Sequence, residues 1–189
     1  PDDLLWGGGE GLYLDKGFNV KFSYQPKLRK LPAIAIVLDY FAGTGQFTRE
    51  YVATTLNTQS AKISLGIGWG KYAGDSSFKN PLSFISEKAN TRPTGFSNFG
   101  GSPEYGKWFR GEASLFGGIE WSIPNTKGLK LKFELDPYDY NKFSCCGEGR
   151  GPSTSELRAK ESDINIGLSI PLKNWGSAEL SFIKGNTLS

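Results

Sequence analysis

The chain has 189 residues, among them 25 glycines and 14% aromatics, with 22 basic against 19 acidic side chains and a net charge of +3. That length holds one domain with a sizeable core. A charge so near balance, with no basic run, excludes a protein that tracks nucleic-acid phosphates, and no apolar stretch approaches the roughly 20 residues of a membrane helix.

The first 16 residues read as a loop, because Gly7, Gly8, Gly9 and Gly11 forbid a regular element. Residues 17–25 alternate, with Phe18, Val20, Phe22 and Tyr24 on one face. Pro26 and Pro32 bracket a turn. Residues 33–41 follow, with Ile34, Ile36, Leu38 and Tyr40 opposite Ala35, Val37 and Asp39. A third strand spans 47–56, and the alternation leaves its faces ambiguous. The fourth runs over 61–70. Ile63, Leu65, Ile67 and Trp69 share one face, while Lys62, Ser64, Gly66, Gly68 and Gly70 share the other. So many glycines suit a face that is crowded, curved or open to water.

Residues 71–110 carry no sustained period and read as a long loop. The fifth strand places Ala113, Leu115, Ile119 and Trp121 together, opposite Glu112, Ser114, Phe116 and Glu120. The sixth alternates Leu129, Leu131, Phe133 and Leu135 with Lys130, Lys132, Glu134 and Asp136. A second long loop covers 137–161, and a turn of helix is predicted over 155–162. The seventh strand carries Ile164, Ile166, Leu168 and Ile170, and the eighth spans 176–185.

Short turns follow strands one, three, five and seven, so every long connection falls at one end of the sheet. Outer-membrane barrels show this asymmetry, and their strands have this length. Tyr24, Tyr40, Phe41, Trp69, Trp108, Trp121, Tyr138 and Trp175 gather near strand ends, as interfacial girdles do. The pattern predicts an all-β, antiparallel outer-membrane β-barrel with about eight strands in this chain. The chain is one barrel region over 1–189, with long loops 71–110 and 137–161. A soluble β-sandwich or lipocalin-like barrel gives the same alternation with inside and outside exchanged. In the membrane reading Lys21, Asp39, Lys62, Glu112, Glu120, Lys130, Lys132, Glu134, Asp163 and Glu179 face the lumen. They pair there or line a hydrophilic interior.

Chemistry leaves little trace. Histidine is absent, which removes the usual general base and the commonest metal ligand. Residues 7–11, 43–45 and 147–151 are glycine-rich, yet none continues into a phosphate-binding signature. Cys145 and Cys146 are adjacent, have no second pair to complete a zinc site, and read as an incidental thiol pair. The expectation is a protein without catalytic residues, metal or cofactor.

Six phrases in order carry a family resemblance: LDKGFNVKFSY (14–24), GTGQFTREYVATT (43–55), LGIGWG (65–70), FRGEASLFGGIEW (109–121), LKLKFELDPYDY (129–140) and INIGLSI…IKGNT (164–187). Together they resemble the YjbH family, bacterial outer-membrane proteins linked to exopolysaccharide and capsule biosynthesis and export. The resemblance implies a non-catalytic outer-membrane barrel that assists polysaccharide export or assembly. Its expected partners are membrane lipid, polysaccharide and other export-machinery proteins, with no nucleic acid. Phe96, Phe99, Tyr105, Trp108 and Phe109 in the first long loop are the expected sugar-contacting aromatics, against loop self-packing or girdle anchoring as the alternative. A soluble carbohydrate-binding β-domain and a small pore are the competing functional readings. Family members are much longer, and the chain neither begins with Met nor contains one. It is therefore expected to be part of a larger barrel, with further strands on both sides.

Overall fold

The computed structural model describes residues 17–28, 30–42, 48–74, 76–93, 103–138 and 160–189. The alternating segments form β1 (Val20–Tyr24), β2 (Ala33–Asp39), β3 (Arg49–Asn57), β4 (Ala61–Gly70), β5 (Ala113–Ser122), β6 (Lys130–Leu135), β7 (Ile164–Pro171), β8 (Ser177–Ile183) and β9 (Thr187–Leu188). Each pairs antiparallel with its neighbour in the chain, giving one nine-stranded meander. Among the described residues the only helical pieces are short 3-10 turns. The helical turn predicted over 155–162 falls mostly outside the described residues, and residues 160–162 are not helical. The two-residue β9 is new. Lys184 and Gly185, with φ of 60° and 77°, reverse the chain after β8, a conformation that glycine adopts without strain.

Strands β1 and β9 lie at the two edges and do not pair with each other. The described strands thus form an open sheet, not a closed barrel.

Register settles the faces, because residues directly opposite in an antiparallel pair share one. Phe22 faces Ile36, Ile36 faces Val52, Val52 faces Ile67 and Ile67 faces Leu115. Farther along, Ile119 faces Phe133, Phe133 faces Ile166 and Ile166 faces Phe182. This apolar face crosses the sheet from β1 to β8, and most of its large side chains are exposed, Leu65 to 53% and Ile164 to 55%. The polar face is the more covered one. The ambiguous β3 turns Arg49, Tyr51, Ala53 and Thr55 to the polar face and Glu50, Val52, Thr54 and Leu56 to the apolar face.

The small core sits at the long-connection end, and it explains why β3 defied assignment. Glu50 lies on the apolar face, opposite Leu38 and Trp69, yet it is only 1% exposed. Residues of the first long loop fold over it. Arg92 donates from Nη1 to Glu50 Oε2 at 2.7 Å and from Nη2 to Oε1 at 2.9 Å, a bidentate pair. The same guanidinium also donates to Thr48 Oγ1 and to the carbonyl of Lys107. Gly70, at φ 68°, leaves room for it: a Cβ there would meet the Thr48 carbonyl at 2.3 Å and Arg92 Nη2 at 3.0 Å. Asn80 ties the loop together, donating from Nδ2 to the carbonyls of Ala89, Phe109 and Gly111. Phe109 then packs edge-on against buried Trp69 at 5.2 Å.

Candidate functional site

All ten charged residues predicted for the polar face lie on it or continue its alternation just beyond a strand end. Lys62 stands opposite Glu120, and Glu120 opposite Lys132. Lys130 Nζ bonds Glu120 at 2.8 Å and Lys132 Nζ bonds Glu179 at 2.6 Å, so charges of alternating sign ladder across β4 to β8. Asn165 donates to Glu134 at 3.0 Å, and Ser77 Oγ to Glu112 at 2.5 Å. Lys21 is exposed on β1, opposite Val37. Asp163, just before β7, accepts from Ser76 Oγ at 2.5 Å and pairs with Lys160 Nζ at 2.6 Å. Burial alone would raise its carboxyl pKa; the bonds from Lys160 and Ser76 outweigh that and hold it below the ordinary value.

Above this ladder the polar face carries an aromatic cluster. The Tyr72 and Phe116 rings stack at 4.8 Å and 14°. Tyr51 meets both edge-on at 5.5 Å, and Tyr138 meets Tyr72 at 6.0 Å. The β4 glycines make this possible. A Cβ on Gly66 would come within 2.3 Å of the Phe116 ring, and one on Gly68 within 2.7 Å of the Tyr72 ring. Of the readings open for the glycine row, crowding holds at these two positions. Arg49 is clamped between Tyr72 and Tyr138, its Cζ 5.4 Å from each ring centre. Its Nε donates to Asp39 Oδ2 at 2.8 Å. Burial pushes the Tyr72 phenol up to about 12, although Arg49 draws it the other way.

Two clefts open on this face. One of about 330 Å³ has Arg49, Tyr72, Glu134, Asp136, Tyr138 and Asn165 in its lining. Another of about 440 Å³ includes Phe116, Glu120, Lys132 and Glu134. Aromatic faces beside planar amide, carboxylate and guanidinium groups make such a surface able to hold a ligand that is partly apolar and rich in hydroxyls.

Of the loop aromatics expected to meet sugar, Phe96 and Phe99 lie outside the described residues. Tyr105 is exposed and packs on Trp108 at 4.8 Å; Trp108 also meets Phe41, and Phe109 covers Trp69. Cys145, Cys146 and the three glycine-rich stretches at 7–11, 43–45 and 147–151 are also outside the described residues. Sequence reading missed the Arg49–Tyr72–Tyr138 clamp and the Glu50–Arg92 pair. The sequence offered one trace, Gly66 and Phe116 on the polar parity of consecutive strands; the register that sets them opposite each other came from the structure, and a ring across from a glycine has room to pack against the sheet.

A family model described as "Exopolysaccharide biosynthesis protein YbjH", of the YjbH family, matches residues 5–189. The chain is 31% identical over 179 residues to a protein of Escherichia coli K12 named "Uncharacterized lipoprotein YjbH". That match covers 95% of this chain and 24% of the relative, so the chain spans about a quarter of the relative's length. No solved structure matches.

Proposed function

The chain belongs to the YjbH family of exopolysaccharide biosynthesis proteins, and from that premise we propose that its sheet is a stretch of wall in an outer-membrane β-barrel. The barrel assists export or assembly of an exopolysaccharide at the bacterial outer membrane and does no covalent chemistry. The observation that carries this reading is the sense of the sheet. Its continuous hydrophobic face is the exposed one, and the ion pairs that bridge its strands are gathered on the other, while the Glu50–Arg92 pair on the apolar face is buried under the first long loop. Water solvates such an apolar face poorly, while lipid covers it at no cost. Exposed Tyr24, Trp121 and Trp175, the last 92% exposed, lie at the short-turn end, where an interfacial girdle belongs. The E. coli relative is named a lipoprotein, which fits an envelope location. The open edges β1 and β9 are then places where further strands of the wall pair, since lipid satisfies no unpaired backbone group.

Site-directed spin labels at positions 130 to 135 of the full-length protein, in lipid vesicles, test the reading. Oxygen, which partitions into lipid, should reach positions 131, 133 and 135. A water-soluble nickel chelate should reach 130, 132 and 134. Nickel access at Leu131 and Phe133 equal to that at Lys132 would sink the membrane reading and favour a soluble carbohydrate-binding domain.

A further inference from the structure

The two clefts of the polar face share Tyr72, Glu134 and Asp136 in their linings and so form one groove running along β4 to β7. Resting on the reading that polysaccharide meets this face, we infer that the groove binds an uncharged pyranose chain and discriminates against acidic ones. Three observations converge. First, a pyranose offers an apolar C–H face to an aromatic ring and a rim of hydroxyls to polar groups. Tyr72 has Phe116 stacked on it and Arg49 over it. Phe116 lines one cleft and Tyr138 the other, and these two rings are the ones assigned to successive sugars.

Second, Arg49 is immobilised before any ligand arrives. Its Nε is held by Asp39 and two tyrosine rings flank it, while its Nη atoms bond no described residue and its side chain is 33% exposed. A fixed guanidinium loses little freedom when it donates to hydroxyls.

Third, the charges cancel. The lining holds the cations Arg49, Lys62, Lys132 and Lys184 and the carboxylates Glu120, Glu134 and Asp136. Asp39 pairs with Arg49, Glu179 with Lys132 and Lys130 with Glu120, which brings cations and carboxylates to equal number. Donors and acceptors for hydroxyls are plentiful, yet no net positive field is left to hold a polyanion.

The test uses full-length protein in detergent micelles. Saturation-transfer NMR and calorimetric titration are run with maltohexaose and cellohexaose as neutral probes and hexagalacturonate as the acidic one. At least one neutral hexaose should bind, at least tenfold more tightly than hexagalacturonate. Tyr138→Ala and Arg49→Lys should each weaken that binding at least tenfold while keeping the native, heat-modifiable gel mobility. No binding of either neutral probe, equal or tighter binding of hexagalacturonate, or wild-type affinity in a natively migrating Tyr138→Ala protein would each overturn the inference. The spin-label pattern is independent of all three, so an empty groove in a lipid-facing wall refutes the groove alone.

Discussion

Single atoms decide where the rings of the polar face lie. Gly66 has no Cβ, and the space it leaves is filled by the Phe116 ring. Gly66→Ala should therefore destabilise the sheet by about 1–3 kcal/mol through overpacking. In a Gly66→Ala, Phe116→Ala double variant the two costs should sum to less than their separate values, read by urea-unfolding midpoints in detergent. Full additivity would mean that ring and glycine do not meet. Asp163 supplies a pH dependence. Its folded pKa lies below the ordinary 3.8, so the unfolded state takes up its proton first. Its contribution is complete above that value and is lost as pH falls through the lower, folded value. Asp163→Asn should cost stability at neutral pH, and the difference from wild type should shrink as the pH falls below 3.8 and close once it has passed the lower, folded value.

Among the elements, the first long loop and β6 make opposite demands. Residues 80–93 and 103–111 are held on the apolar face by the Arg92–Glu50 pair. Removing one partner strands a buried charge, at a cost of about 3–5 kcal/mol. Arg92→Ala should therefore release the loop without unfolding the sheet. Limited proteolysis should cut within 76–93 and 103–111 far faster than in wild type, with the strands still protected. Arg92→Lys should rescue little, because an ammonium group cannot reproduce the bidentate pair. Strand β6 follows the pleat alone: Leu131, Phe133 and Leu135 on one face, Lys130, Lys132 and Glu134 on the other. Leu131→Arg should destabilise the protein in bilayers by roughly 2–4 kcal/mol if it sits near mid-membrane. Lys132→Leu should cost less, since its ion pair with Glu179 is exposed.

For the molecule as a whole, the apolar face spans eight strands, while the apolar residues buried among those described include little beyond Val37, Ala42, Trp69, Ala89, Ala113 and Pro137. A chain that exposes this much contiguous apolar surface should aggregate when refolded in buffer. It should form a heat-modifiable, β-rich species when refolded in detergent micelles above their critical concentration. Circular dichroism and sedimentation under the two conditions check this, and a monodisperse monomer in plain buffer would contradict it.

Alternation with period two was enough to find eight strands, their order along the chain and the faces of seven, because side-chain direction in a strand is a local property. It also put all ten charged residues on one parity, and the six phrases led to the family. The faces of β3 and the partners on the polar face needed the tertiary structure. Glu50 sits on the apolar parity, and its burial depends on Arg92, 42 residues away. No local pattern encodes a contact at that distance. Arg49, Tyr72 and Tyr138 come from one strand and two loops, and only the pairing of β3 through β6 brings them together. The sense of the sheet was likewise open in the sequence. Period two is blind to which face is covered, and only the side chains packed against each face, or left bare, decide it.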